Sequence, residues 1–100
     1  NTTPEEVIAT RESQWKTSAG DDAVTVTKGK SPGVKANFNG ADGLGYRFTG
    51  SLAGHPFVEQ GWVVSSKNNL FWLRLQYGGA TAEKAMEPLF KAIKKNIKFP

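Results

Sequence analysis

Five lysines crowd the end of the chain: Lys84, Lys91, Lys94, Lys95 and Lys98. On a helix their heads would line the water side, where they could meet phosphates, anionic lipid headgroups or an acidic protein patch. The plainer reading is a solvated face that complements the negative end of the helix dipole, and it takes precedence. Bidentate reading of phosphates and bases usually recruits arginine. Only Arg11, Arg47 and Arg74 are present, which sets nucleic acid and anionic lipid behind a protein partner.

A second group is aromatic. Trp72, Arg74 and Gln76 alternate along one strand face, and Trp62 lies in the strand before it. An exposed indole beside a guanidinium can stack on a sugar or a base. Trp62, Trp72 and Arg74 are therefore the candidate ligand or stacking residues. Trp62, Trp72 and Phe90 could also line a cup for a small ligand between sheet and last helix. A strand tryptophan more often fills a core, and that is the first expectation for each.

The remaining chemistry is thin. Asp21, Asp22, Asp42 and Glu59 are the carboxylates to weigh, since acid–base work needs two titratable groups in split environments. Asp21 and Asp42 sit among turn residues, and turn formation explains them. The spaced oxygen ligands of a calcium loop are missing. With no cysteine, thiolate chemistry is excluded, and the single histidine argues against a His-based zinc site within one chain. His55 sits in Gly54-His55-Pro56 without a nucleophile elbow and reads as a turn residue. Gly43-Leu44-Gly45 begins like a dinucleotide loop but lacks the third glycine and feeds a strand. No catalytic residue, cofactor or metal site is assigned, and an enzyme is the last reading.

The elements that must position these residues follow from the pattern. Thr3-Pro4-Glu5-Glu6 is a helix start, with Thr3 and Glu6 as a capping box and Pro4 at the first helical position. That helix is expected over Pro4 to about Lys16, anchored by Trp15. Strands are expected at Ala23–Lys28, Val34–Phe38, Leu44–Leu52, Phe57–Ser66 and Leu70–Tyr77, with short turns that favour an antiparallel meander. Phe71, Leu73, Leu75 and Tyr77 form one apolar face, which the following helix should cover. There Thr81 reads as the N-cap. Met86, Leu89, Phe90, Ile93 and Ile97 keep the spacing of one apolar side, and Pro88 predicts a break near Glu87. The fold class is α+β: a single domain over residues 1–100, with an antiparallel sheet of about five strands carrying N- and C-terminal helices.

The totals agree with such a chain. Of 100 residues, 38% are apolar and 22% charged, which is a globular balance. The net charge of +4 falls in the second half, with seven basic against three acidic residues, whereas the first half has six of each. No apolar run is long enough to span a membrane. Asn1 in place of Met reads as a processed product or an excised piece. The Thr, Asn and Gly content suits an exported or periplasmic protein.

The C-terminal half resembles domains with the fold of PsbP, the extrinsic photosystem II protein, a fold shared by a Ran-binding nuclear import factor and small exported bacterial lipoproteins. The residues that carry the resemblance are Gly54-His55-Pro56, the strand pair Trp62–Ser66 and Leu70–Tyr77, and a last helix closing on Ile93 through Ile97-Lys98-Phe99. The chain departs from the family in its shorter length, its Lys98-Phe99 ending and its first fifty residues. The resemblance implies a non-catalytic domain that docks onto a protein partner, and it carries over no catalytic residue.

Overall fold

The computed structural model describes residues 2–19, 34–52 and 54–100. Helix α1 (Pro4–Ala19) starts as its sequence dictates: the Glu6 amide donates to Thr3 Oγ1 at 3.2 Å, which satisfies one of the free amides of a first turn. Four strands follow among the described residues: β1 (Val34–Phe38), β2 (Ala41–Leu52), β3 (His55–Ser66) and β4 (Asn69–Tyr77). They form one antiparallel sheet in the order β1-β2-β3-β4. The expected strand at Ala23–Lys28 lies outside the described residues. Two short helices close the chain, α2 (Ala80–Ala85) and α3 (Glu87–Asn96).

Tight turns make the meander. Asn39 and Gly40 both take positive φ, 52° and 95°, as a two-residue hairpin of the mirror-image type requires. Strand β2 therefore begins at Ala41, three residues earlier than expected. Lys67 and Asn68 repeat the geometry between β3 and β4, with φ of 47° and 64°.

The register sorts side chains onto two faces. Tyr46 lies opposite Gly61 and Gly61 opposite Arg74; Phe48 lies opposite Glu59 and Glu59 opposite Gln76. These residues share the face under α1. Ile8 from the helix joins Tyr46, Phe48 and Val63 there as a buried cluster, with Val7, Trp15 and Leu44 packed against it. Trp15 stacks on Phe57 with ring centroids 4.3 Å apart, so it anchors the helix as its aromatic bulk predicts.

The opposite face carries Phe38, Val58, Trp62 and Val64, and the C-terminal elements cover it. Phe90 stacks on Trp62 at 4.2 Å. Phe99 from the tail packs edge-on to Phe38 and tilts against Phe71. On the face of Phe71, Leu73, Leu75 and Tyr77 the cover is partial: Phe71 meets the tail residue Phe99, Leu73 and Leu75 lie beside Phe90 and Ile93, and all four remain half-buried.

Two expectations about that helix need correcting. Thr81 is not the N-cap: α2 begins at Ala80, with Gly79 (φ 120°) in the capping position and no side-chain cap. The chain leaves β4 through Gly78-Gly79, and the glycine conformation there turns it into the helix two residues early. Met86 and Leu89 do not join the buried side but stay 40% and 51% exposed. The helix breaks at Met86 and restarts with Pro88 in its first turn, as the proline predicts. Leu89 precedes Phe90 by one residue, about 100° around the helix. With Phe90 on Trp62, Leu89 swings toward water. None of the described helices is long and apolar enough to cross a membrane.

Candidate functional site

Glu59 is the centre of the α1 face. Strand alternation aims it inward between Phe48 and Gln76, and it is fully buried. A carboxylate there needs charge and hydrogen bonds to remain ionised. Arg11 supplies a fork from α1: Nε donates to Oε2 at 2.9 Å and Nη2 to Oε1 at 2.7 Å. The Tyr46 hydroxyl donates to Oε2 at 2.8 Å, and Gln76 Nε2 to Oε1 at 2.8 Å. Burial pushes the Glu59 carboxyl up, but the bonds from Arg11, Gln76 and Tyr46 outweigh it and hold the group below its ordinary value. Burial, then the bond to Glu59, raises the Tyr46 hydroxyl well above a free tyrosine. The bond to Glu59 likewise raises Arg11. Each Glu59 oxygen accepts two hydrogen bonds from within the protein, which describes a structural anchor rather than an acid–base pair.

The other face repeats the device. Arg47 on β2 forks onto Glu83 of α2, with Nε to Oε2 and Nη2 to Oε1 both at 2.8 Å. Gln60 Nε2 adds a bond to Oε2 at 2.6 Å. Arg11 reaches inward from a helix to a strand carboxylate, and Arg47 reaches outward from a strand to a helix carboxylate. Helix α1 is therefore held to the sheet by a guanidinium–carboxylate fork and an aromatic stack, and at the C-terminal end the same two devices are divided, the fork on α2 and the stack on α3.

The polar network also reaches the surface. Trp72 Nε1 donates to the Tyr46 hydroxyl at 3.0 Å. The indole is 39% exposed, and the Arg74 guanidinium lies 4.4 Å from its ring centroid, in cation–π range. Leu70 on the same face is 37% exposed. Strand β4 is the end of the sheet, paired only with β3 among the described residues. No known family's model matches this chain, and neither a curated protein nor a solved structure does. The surface must speak through its own chemistry.

Of the three candidate stacking residues, Trp72 and Arg74 are brought together and Trp62 is not. Adjacent register positions place Trp62 on the opposite face, against Phe90. Trp72 therefore does not line a cup under the last helix. Lys84, Lys91, Lys94, Lys95 and Lys98 are all exposed. None of the five forms an ion pair with a described residue. Lys94 leans back toward the sheet, its Nζ 5.7 Å from the Phe38 ring centroid. Asp42 accepts from Asn37 Nδ2 at 2.9 Å across the hairpin, and His55 opens β3 in an exposed position.

Arg11 and the partnership of Glu59 with Tyr46 were missed in the sequence. A signal existed for Glu59: it alternates with Phe57, Gly61 and Val63, so its neighbours on that face are apolar or absent. A carboxylate in such a row implies a cation, but nothing in the linear order selects Arg11, forty-eight positions away.

Proposed function

We propose that this is a non-catalytic docking domain that binds an extended segment of another protein along β4. The observation that carries the reading is Trp72: a partly exposed indole on β4, the edge strand among the described residues, fixed from below by its bond to Tyr46 and capped by Arg74. An edge strand leaves backbone donors and acceptors unpaired, and added strands are a recurrent way to pair them. Tryptophan and arginine are also the types that most often dominate binding energy. A side chain already locked in place loses little freedom on binding. The exposed side chains on this face of β4 are Leu70, Trp72, Arg74 and Gln76, with no carboxylate among them. The segment that fits carries an acidic residue opposite Arg74 and an apolar one against Leu70 and Trp72. The PsbP-like pattern of the C-terminal half points to the same kind of role.

Selection of peptides from a displayed library, followed by amide NMR mapping, tests this. Peptides alternating acidic and apolar residues should emerge and shift the amides of β4. Substituting Trp72→Ala or Arg74→Glu should weaken them by at least about 2 kcal/mol, roughly thirtyfold. Shifts mapping to α3 instead, or binding indifferent to both substitutions, would sink the reading.

A further inference from the structure

On the sheet face away from Trp72, a cleft of about 250 Å³ lies between α3 and the β1–β2 side of the sheet. Its lining includes Lys35, Gly45, Arg47, Trp62 and Lys94, and no carboxylate. Arg47 is neutralised by Glu83 through Nε and Nη2, and Lys35 pairs with Leu44 in register, which directs its side chain to the α1 face, so the surplus positive charge facing Trp62 belongs to Lys94. Trp62 gives one ring face to Phe90. Its Nε1 edge lies over Gly45, where an added Cβ would stand 2.9 Å from both Nε1 and Cδ1. Any residue but glycine would close that edge. No described group accepts a hydrogen bond from Trp62 Nε1, unlike the indole N–H of Trp72.

We infer that this cleft is a binding site for a small aromatic or heteroaromatic anion. Lys94 and the Trp62 N–H are donors without a carboxylate to satisfy them. An anionic group accepts from both and gains Coulomb energy that a neutral group does not. The ring of the ligand would lie along the apolar floor beside Trp62. The volume falls below the range of about 300–1,000 Å³ usual for drug-sized ligands, so one ring with one anionic substituent is the size that fits. Carboxylate and phosphate offer the same oxygen acceptors, and the probes below separate them. Tyr46 also borders the cleft, but its hydroxyl points to the other face, where it holds Trp72; the two donors of the site, Lys94 and Trp62, take no part in the Trp72 surface.

The test is an NMR titration of the labelled chain with benzoate, phenyl phosphate, benzyl alcohol and inorganic phosphate at physiological salt. Benzoate or phenyl phosphate should shift the Trp62 indole N–H and the Gly45 amide saturably, and the stronger of the two names the anionic group. Benzyl alcohol should bind at least tenfold more weakly, because it lacks the charge. Inorganic phosphate should also bind at least tenfold more weakly, because it lacks the ring. Lys94→Gln should weaken the better probe about tenfold, the effect of losing one charge-assisted hydrogen bond. Lys95→Gln, one residue on and outside the cleft, should leave it unchanged. The inference is overturned if neither ring anion shifts Trp62, if benzyl alcohol binds as well as benzoate, or if Lys95→Gln matters as much as Lys94→Gln. Shifts spread evenly over Lys84–Lys98 would also overturn it, since they mark only a solvated lysine face.

Discussion

At the scale of single residues, the α1 face turns on a missing side chain. Tyr46 lies flat across Gly61, so close that a Cβ on Gly61 would stand 2.1 Å from the tyrosine ring. The ring cannot lift without losing its bonds to Glu59 and Trp72. Gly61→Ala should therefore cost about 3 kcal/mol, the upper range for forcing atoms into a packed site, read by urea denaturation. It should also change Trp72 fluorescence, which a local β-propensity effect would not do. Glu59 gives the second prediction. Its folded-state value lies below that of the unfolded chain, near 4.3. Below that point the unfolded chain takes up a proton that the folded chain still refuses. Stability is then fully present above that pH and falls as acid titrates the folded carboxyl. Urea midpoints measured from pH 7 to pH 3 should drop in that window. Glu59→Gln should flatten that drop and lower stability at pH 7 by about 3 kcal/mol, because Arg11 loses its buried partner. An unchanged acid limb in the variant would assign the drop to other carboxylates. Alternation was enough to place Glu59 and Gly61 inside. Which ring needs Gly61 empty, and which arginine serves Glu59, are facts of docking a helix on a sheet, and no local pattern holds them.

At the scale of elements, the C-terminal helices are attached by side chains reaching down rather than by close packing. No residue of α3 is fully buried; it is attached by the Phe90–Trp62 stack, by Ile93 and the tail residue Phe99, and by Asn39 Nδ2, which donates to the Lys95 and Ile97 carbonyls. Phe90→Ala should cost about 3 kcal/mol, the low end for an aromatic truncation. It should speed amide exchange in α3 more than in α1. Equal acceleration in both helices would show a single cooperative unit. Lys91, Lys94 and Lys95 changed together to Gln should alter stability by no more than about 0.5 kcal/mol, because exposed charges contribute little; a thermal melt checks it. The α2–α3 break was legible because Pro88 imposes it through its own ring. The meander was legible because alternation and turn glycines are local too. The exposure of Leu89 was not, since helical spacing defines a stripe but not how far the helix rolls once one ring is pinned.

At the scale of the whole molecule, one sheet separates two small packing layers. Ile8, Tyr46, Phe48 and Val63 cluster on the α1 side; Phe38, Val58 and Val64 are buried on the other. Glu59 and Gln60 are neighbours in sequence, yet each serves the fork of a different face. The two forks share no partner, so they should act independently through a sheet one residue thick. Substitutions without shared partners usually add within about 0.3–0.5 kcal/mol. Combining Glu59→Gln with Glu83→Gln should thus give the sum of the separate losses within about 0.5 kcal/mol, measured by urea unfolding. A coupling above about 1 kcal/mol would mean that strain passes through β3 and that the layers form a single unit. The distinction matters for binding. If the faces are independent, benzoate in the cleft beside Trp62 should leave Trp72 and Arg74 resonances still. A segment docked on β4 should likewise leave the affinity for benzoate unchanged. If the forks couple, each ligand should alter the other's affinity by the same factor, as linkage requires. The double substitution therefore decides whether this chain carries two separate surfaces or one switchable pair.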